Sequence, residues 1–130
     1  MMANINAYSK EAYKIVGSAD GHEYKLDKGE TGTNPFKISL ISLAGCNLMV
    51  ARSYLDLRKM NDVYLEVEIT SSDVKETKED ISGVIDILLK VDTELTEEQK
   101  VAMVDFIDQH CTIKKFMKKS FDIRTVVESK

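Results

Sequence analysis

The chain has 130 residues, of which 31% are charged and 43% are hydrophobic, and its formal net charge is −4 at pH 7. This length predicts a single domain over residues 1–130, and the composition is typical of soluble globular proteins. An acidic chain does not favour nucleic acid as a partner, and the one basic cluster is small enough to be a solvated helix face. Its members are Lys114, Lys115, Lys118 and Lys119.

The start of the chain and its cysteine content predict a cytoplasmic location. Residues 1–13 lack the basic segment followed by an apolar segment that marks a secretory signal. The uncharged run Ile38–Ala51 is shorter than the ~18–20 residues of a membrane span, so we expect no membrane partner. Cys46 and Cys111 would be thiols most of the time, because cytosolic disulfides are usually transient.

Residues 1–34 predict short strands followed by a loop. Strand character is mild at Tyr13, at Ile15 and over residues 23–26, and Asp20-Gly21 is a hairpin turn signal. The polar loop 29–34 contains two glycines but no Gly-Lys-Ser/Thr sequence, which excludes a phosphate-binding loop of that type.

Residues 35–60 predict one long helix. Asn34 is a suitable N-cap and Pro35 suits the first helical position. The apolar residues between Ile38 and Ala51 occupy every side of the helix, which predicts burial on all sides, with Cys46 near the middle. One modest sheet covers only one side of such a helix, so we expect the other side to pack against a second subunit in a two-fold dimer.

Residues 61–130 predict strands and shorter helices. Alternation over residues 63–70 indicates a strand, residues 71–80 a charged loop, and residues 81–91 a second strand that pairs antiparallel with the first. A helix is predicted over residues 97–109, with Thr96 and Gln99 forming a capping box. Its predicted inner face consists of Val101, Val104 and either Ile107 or Asp108.

The end of the chain predicts a short helix and a last strand. The helix opens at Cys111, with Ile113, Phe116 and Met117 inside, and the strand carries Phe121, Ile123, Thr125 and Val127 in alternation. The whole order of strands, long helix, two strands, helices and strand predicts an α+β fold with an antiparallel sheet.

Few side chains have a spacing that indicates a catalytic or metal-binding site. Cys46, Cys111, His22 and His110 show neither a Cys-x-x-Cys pair nor a His pair at helical spacing, so we predict no metal and no cofactor. The sequence contains no Gly-x-Ser-x-Gly motif, which would indicate a serine nucleophile. The carboxylates Glu66 and Glu68 fit the solvent-exposed face of a strand. The two cysteines remain, either as inert core residues or, at Cys111, as a thiol at a helix start, where the dipole favours the thiolate.

A motif around Cys46 resembles the OsmC/Ohr family of osmotically inducible and organic hydroperoxide resistance proteins. Gly32-Thr33-Asn34-Pro35 precedes the helix, Ala44-Gly45-Cys46 lies within it, and Cys111 opens a later short helix in the sequence HCTIKK. The resemblance covers residues 20–128. It implies an intertwined α+β homodimer in which an antiparallel sheet wraps a long buried central helix.

The resemblance also implies thiol-dependent reduction of organic hydroperoxides. Cys46 would attack the peroxide, Cys111 would then form a disulfide with Cys46, and a dithiol would reduce that disulfide. The resemblance therefore predicts that the two cysteines lie close together, and it favours an apolar pocket for an alkyl tail at the dimer interface.

The sequence departs from the peroxidase branches of the family in two places. Those branches have Glu directly after Pro and an N-terminal Arg, whereas this chain has Phe36 there and no arginine before Arg52. Lys10 or Lys14, paired with Glu30, are the replacements we consider. We expect Cys46 to react more slowly than in those branches, at a rate that rises with pH. The alternatives are a non-catalytic dimer that binds a small apolar ligand and a structural dimer with inert cysteines.

Overall fold

The chain forms three helices and two antiparallel sheets in the residues that a computed structural model describes, which are 4–11, 13–29, 33–118 and 121–129. The strands are β1 (Asn6–Tyr8), β2 (Ile15–Ala19), β3 (His22–Leu26), β4 (Leu65–Glu76) and β5 (Ile81–Val91). The helices are α1 (Pro35–Leu57), α2 (Glu97–His110) and α3 (Thr112–Lys118). This order confirms the predicted α+β class. Contacts divide the chain into two units, residues 1–42 and 43–130, and the single-domain prediction remains a prediction.

The first unit contains a three-stranded sheet in the order β1-β2-β3, with both pairs antiparallel. The β2–β3 turn is Asp20-Gly21, and both residues have positive φ values, 50° and 80°. Two consecutive positive φ values give the tight turn that matches the twist of a hairpin, and glycine adopts this conformation readily. The predicted turn at this position is therefore confirmed.

Helix α1 begins and ends through local hydrogen bonds. The Lys37 amide donates to Asn34 Oδ1 at 2.8 Å, which confirms Asn34 as the N-cap. At the other end Lys59 has a φ of 59°, and the Met60 amide donates to the Leu55 carbonyl oxygen at 2.9 Å. This left-handed C-cap stops the helix at Leu57, before the predicted end at residue 60. Gly32 of the family motif lies outside the described residues.

One face of α1 is buried and the opposite face is exposed. The exposed fractions are 60% for Ile41 and 76% for Met49, whereas the buried residues are Leu43, Asn47, Ala51, Tyr54 and Leu55. Within a single chain the helix therefore has the uncovered side that the dimer prediction assigns to a second subunit. That prediction stays open, because one chain is described.

By length and composition α1 is also apolar enough to cross a membrane. The 23-residue helix contains an 18-residue window with a mean hydropathy of 1.4, although its uncharged run alone is shorter. The core helix of a soluble protein meets the same criterion. Within the chain, 33% of that window is buried.

Strands β4 and β5 form a long antiparallel hairpin. Strand β4 extends to Glu76, so the predicted loop 71–80 is wrong over its first half. The pairing continues past a register shift between Ser72 and Lys75, where Asp73 has a φ of 51°. A bulge of this kind lets a charged, polar segment remain in a strand while its twist increases.

Helix α2 starts at the predicted cap but buries a different face. Thr96 Oγ1 accepts from the Gln99 amide at 3.1 Å, and Gln99 Oε1 accepts from the Thr96 amide at 2.8 Å, which confirms the capping box. Met103 and Ile107 are buried, whereas Val101 and Val104 are 61% and 53% exposed. The prediction that these two valines face inward is therefore wrong. Of the two alternatives for the last inner position, Ile107 is buried and Asp108 is exposed.

The core of the second unit joins α1 to α2 and the β4–β5 hairpin. Its buried members are Leu43, Ala51, Tyr54, Leu55, Met103, Ile107 and Cys111. The Tyr54 and Phe106 ring centroids are 5.6 Å apart, and Tyr54 Oη donates to the Gln99 carbonyl oxygen at 3.3 Å. An aromatic pair with a satisfied hydroxyl fixes which face of α2 points inward.

The segment after α3 departs from the prediction. Residues 121–129 have no regular secondary structure, so the predicted last strand is absent from the described chain. Phe116 and Met117 are exposed, and only Ile113 of the predicted inner residues of α3 is half-buried. The apolar side chains of residues 121–129 are also exposed, with Ile123 at 86% and Val127 at 87%.

Candidate active site

One helix and one helix junction position the cysteines. Cys46 lies on α1, and Cys111 lies between α2 and α3. The Cys111 amide donates to the Ile107 carbonyl oxygen at 2.8 Å, and the Cys111 carbonyl oxygen accepts from the Lys115 amide at 3.1 Å. Because Cys111 ends one helix and begins the next, its backbone is held from both sides.

The two sulfur atoms belong to the same core cluster but differ in burial. Cys111 has no exposed surface, and Cys46 is half-buried at the edge of the cluster. Both cysteines are free thiols, and Cys46 lies near enough to Cys111 to affect its protonation. The predicted proximity of Cys46 and Cys111 is therefore present in the second unit, and their formation of a disulfide remains a prediction.

The surroundings of Cys111 favour its protonated form. Burial raises the pKa of the Cys111 thiol, and the neighbouring Cys46 side chain raises it further. The backbone amides of Lys114 and Ile113, in the first turn of α3, oppose this effect on the pKa but do not outweigh it. The predicted influence of the helix start on Cys111 thus exists, yet burial dominates and the net pKa shift is upward.

Asn47 is a third polar side chain at this site, and sequence reasoning missed it. It is only 2% exposed, and its Nδ2 donates to the Leu43 carbonyl oxygen at 3.0 Å. The same Nδ2 donates to Cys111 Sγ at 3.7 Å. The available signal was an amide side chain within the apolar run of α1, directly after Cys46, since a buried amide needs hydrogen-bond partners.

The two lysines considered as replacements for the family Arg lie in the other unit. Lys10 and Lys14 belong to residues 1–42, and Glu30 lies outside the described residues. Their contribution of positive charge near Cys46 therefore stays a prediction. In the second unit, the ammonium group of Lys114 is paired with Asp108, so it is already neutralised by a carboxylate.

Neither a metal cluster nor a serine-type site appears among the described residues. They contain no group of three or more His, Cys, Asp or Glu side chains placed to hold a metal ion. His110 stacks on Phe106 with ring centroids 4.2 Å apart, and its Nδ1 lies 2.8 Å from the Phe106 carbonyl oxygen. An open depression of about 400 Å³ on α2 is lined by Glu97, Glu98, Val101, Ala102 and Asp105, and it includes neither cysteine.

Comparison with known proteins points to one family. Residues 27–126 match the model of the family described as OsmC-like protein. This range includes both cysteines, the N-cap Asn34 and all of α1 to α3. No functionally curated protein matches the chain in sequence.

Several solved structures share the fold. The OsmC-like protein of Mycoplasma pneumoniae has a TM-score of 0.71 and 18% identity, covering 91% of this chain and 88% of its own. The organic hydroperoxide resistance protein OsmC of Legionella pneumophila has a TM-score of 0.64 and 18% identity, covering 91% and 90%. The organic hydroperoxide resistance protein OhrB of Bacillus subtilis has a TM-score of 0.62 and 21% identity, covering 91% of each chain.

Proposed function

The chain belongs to the OsmC-like protein family, and from this premise we propose that it reduces organic hydroperoxides through Cys46 and Cys111. One observation carries the proposal: the only two thiols of the chain lie near each other in one core. A thiol pair of this kind can be oxidised reversibly to a disulfide.

The unequal burial of the two thiols supports distinct roles. Half-buried Cys46 is the sulfur that a peroxide can reach, whereas Cys111 has no exposed surface. The Cys46 thiolate attacks one oxygen of the hydroperoxide and breaks the O–O bond. Cys46 becomes a sulfenic acid, and the other oxygen takes a proton and leaves as the alcohol.

Cys111 completes the oxidation. Its thiolate attacks the Cys46 sulfur, an S–S bond forms, the S–O bond breaks, and hydroxide leaves and is protonated to water. A dithiol reductant then returns two electrons and two protons through thiol–disulfide exchange, which restores both thiols. No metal or cofactor takes part in these steps.

The apolar surroundings of Cys46 support an alkyl hydroperoxide as substrate. Cys46 belongs to the partly buried apolar shell of the core, and so does Val50, about one helical turn further along α1. An apolar tail gains free energy by leaving water, whereas hydrogen peroxide has no such tail. The names of the Legionella and Bacillus relatives point to the same class of compound.

We further propose a homodimer, a cytoplasmic location and a single OsmC-like domain over residues 1–130. The homodimer is supported by the exposed apolar side of α1 and by the family fold. The N-terminal strands and loop (1–34), the central helix (35–60) and the strands and C-terminal helices (61–130) would be its parts.

A non-catalytic role is the second candidate. The position after Pro35 holds Phe36, and no arginine precedes Arg52, so the family groups that stabilise a thiolate at the first cysteine are missing from their usual positions. The same fold would then bind a small apolar ligand without redox chemistry.

Stoichiometric oxidation separates these two candidates. Reduced protein mixed with one equivalent of cumene hydroperoxide should lose two thiols and release cumyl alcohol, with hydrogen peroxide reacting more slowly. Cys46→Ser should abolish consumption. Cys111→Ser should still consume one equivalent but accumulate a sulfenic acid that dimedone traps. Consumption that is unchanged in Cys46→Ser, or no consumption between pH 6 and 10, would reject the peroxidase.

A further inference from the structure

Asn47 is a buried polar residue on α1 and lies outside the family motif. An amide in the middle of an apolar helix face loses water on burial, which costs free energy unless its hydrogen bonds are replaced. One replacement is local, from Nδ2 to the Leu43 carbonyl oxygen at 3.0 Å. The other reaches across the core, from the same Nδ2 to Cys111 Sγ at 3.7 Å. The second contact links α1 to the α2–α3 junction at the sulfur itself.

We propose that Asn47 is a positioning residue that holds the Cys111 sulfur beside Cys46 and stabilises its thiolate during disulfide formation. Its neighbour in sequence, Cys46, carries the sulfur that Cys111 must attack. Because one helix presents both Cys46 and the Asn47 amide, the donor and the electrophilic sulfur keep a fixed spacing relative to Cys111. The chemical half of this proposal rests on the proposed function, whereas the contact itself does not.

Asn47 can favour the thiolate because a thiol and a thiolate differ in strength as hydrogen-bond acceptors. A neutral thiol sulfur accepts a hydrogen bond weakly, which agrees with the 3.7 Å separation. A thiolate accepts a charge-assisted hydrogen bond, which is stronger and shorter. The Asn47 amide therefore stabilises the reactive form of Cys111 more than the resting form. The Lys114 and Ile113 backbone amides also oppose the effect of burial on the pKa of Cys111.

Among the described residues, the titratable groups considered near Cys111 come from α1, α2 and α3. From α1 the facing group is Cys46. From α2 and α3 the nearby groups are His110, which is exposed, and Lys114, whose ammonium is paired with Asp108. Strands β4 and β5 contribute apolar side chains to this core, namely Leu65, Ile69, Ile87, Leu89 and Val91.

A thiolate titration tests the contact without any peroxide. In a reduced Cys46→Ala background, the absorbance of the Cys111 thiolate near 240 nm is followed against pH. Asn47→Leu keeps a similar shape but has no donor, and it should move the midpoint upward by about one pH unit, a tenfold smaller thiolate fraction at neutral pH. Asn47→Ser, which is too short to keep the contact, should shift it in the same direction. It serves as the second variant should Asn47→Leu not fold.

Ser53→Ala is the matched control. Ser53 Oγ donates to the Met49 carbonyl oxygen at 3.2 Å, so it makes the same kind of back-bond on α1 without contacting a thiol. It should leave the midpoint unchanged. A folded Asn47 variant, verified by circular dichroism, with the wild-type midpoint would overturn the proposal and leave Asn47 a purely structural residue.

A second readout connects the contact to catalysis. After one equivalent of cumene hydroperoxide, single-turnover disulfide formation in Asn47→Leu with both cysteines present should be about tenfold slower at pH 7 and should recover as pH rises. A pH-independent loss of rate would contradict the proposal. If the wild type consumes no hydroperoxide, the proposed function fails, while the titration still decides the Asn47–Cys111 contact.

Discussion

Burial and hydrogen bonding act in opposite directions on Cys111. The side chain has no exposed surface, and burial raises the pKa of its thiol, as does the neighbouring Cys46. The amides at the start of α3 lower the pKa by a smaller amount. The raised pKa is consistent with a Cys111 thiol that stays protonated until Cys46 is oxidised. A buried thiolate in the reduced protein would cost free energy.

The raised pKa of Cys111 predicts a dependence of stability on pH. A thiol whose pKa is higher in the folded than in the unfolded state contributes stability that is fully present below the unfolded pKa, about 8.5, and is lost as pH rises through the folded pKa. Wild-type protein should therefore lose more stability than Cys111→Ala between pH 7.5 and 10. Urea unfolding midpoints under reducing conditions measure this, and equal losses in the two proteins would contradict it.

The sequence pattern of helix α2 does not determine which of its faces is buried. Its apolar residues make two overlapping stripes, one through Val101 and Val104 and one through Met103 and Ile107. Helical periodicity fits both, and the ring of Tyr54 on α1, which meets Phe106, selects the second. The face that carries the core thus depends on a residue more than 40 positions away in the chain, which no local window includes.

A matched pair of substitutions on α2 checks this choice. Ile107 is 4% exposed and Val104 is 53% exposed. Ile107→Ala should lower the free energy of unfolding by about 2–5 kcal/mol, because it leaves a cavity in the core. Val104→Ala should change it by less than about 0.5 kcal/mol, as is usual for surface positions. Equal effects in urea unfolding would show that the valine face is covered.

Caps and turns were predictable because their causes are local. Asn34, Thr96 with Gln99, and Asp20-Gly21 each satisfy or bend the backbone within a few residues, and all three are in place. The segment 121–129 alternates as a strand would, yet it has no regular structure. Alternation indicates that a segment can sit on a sheet, but a strand also needs a partner edge, which the segment's own residues do not specify.

Whether the two cysteines meet depends on the whole fold and not on the sequence around either cysteine. Neither the apolar surroundings of Cys46 nor the helix start at Cys111 indicates that the two sulfur atoms meet. The family resemblance alone predicted it, because the fold brings α1 and the α2–α3 junction into one core. Asn47 was missed because its role depends on the residues that α1 packs against, and because the family motif does not include it.

The exposed side of α1 leads to the prediction of a dimer. Ile41, Gly45 and Met49 follow one another at four-residue spacing, so they form one stripe opposite the buried face. A Cβ added at Gly45 would meet no atom within 4 Å, which leaves room for a second helix. Covering this stripe with the same stripe of another copy gives a symmetric interface and removes apolar surface from water.

Light scattering at micromolar concentration measures this directly. The wild type should have twice the chain mass of 14.7 kDa, and Met49→Asp should shift it towards 14.7 kDa, because a charge in an apolar interface lacks a partner. Leu57→Asp is the control, since Leu57 is 72% exposed and lies about 120° round the same helix from the stripe. A wild-type monomer, or equal effects of the two substitutions, would show that this side of α1 is not the interface.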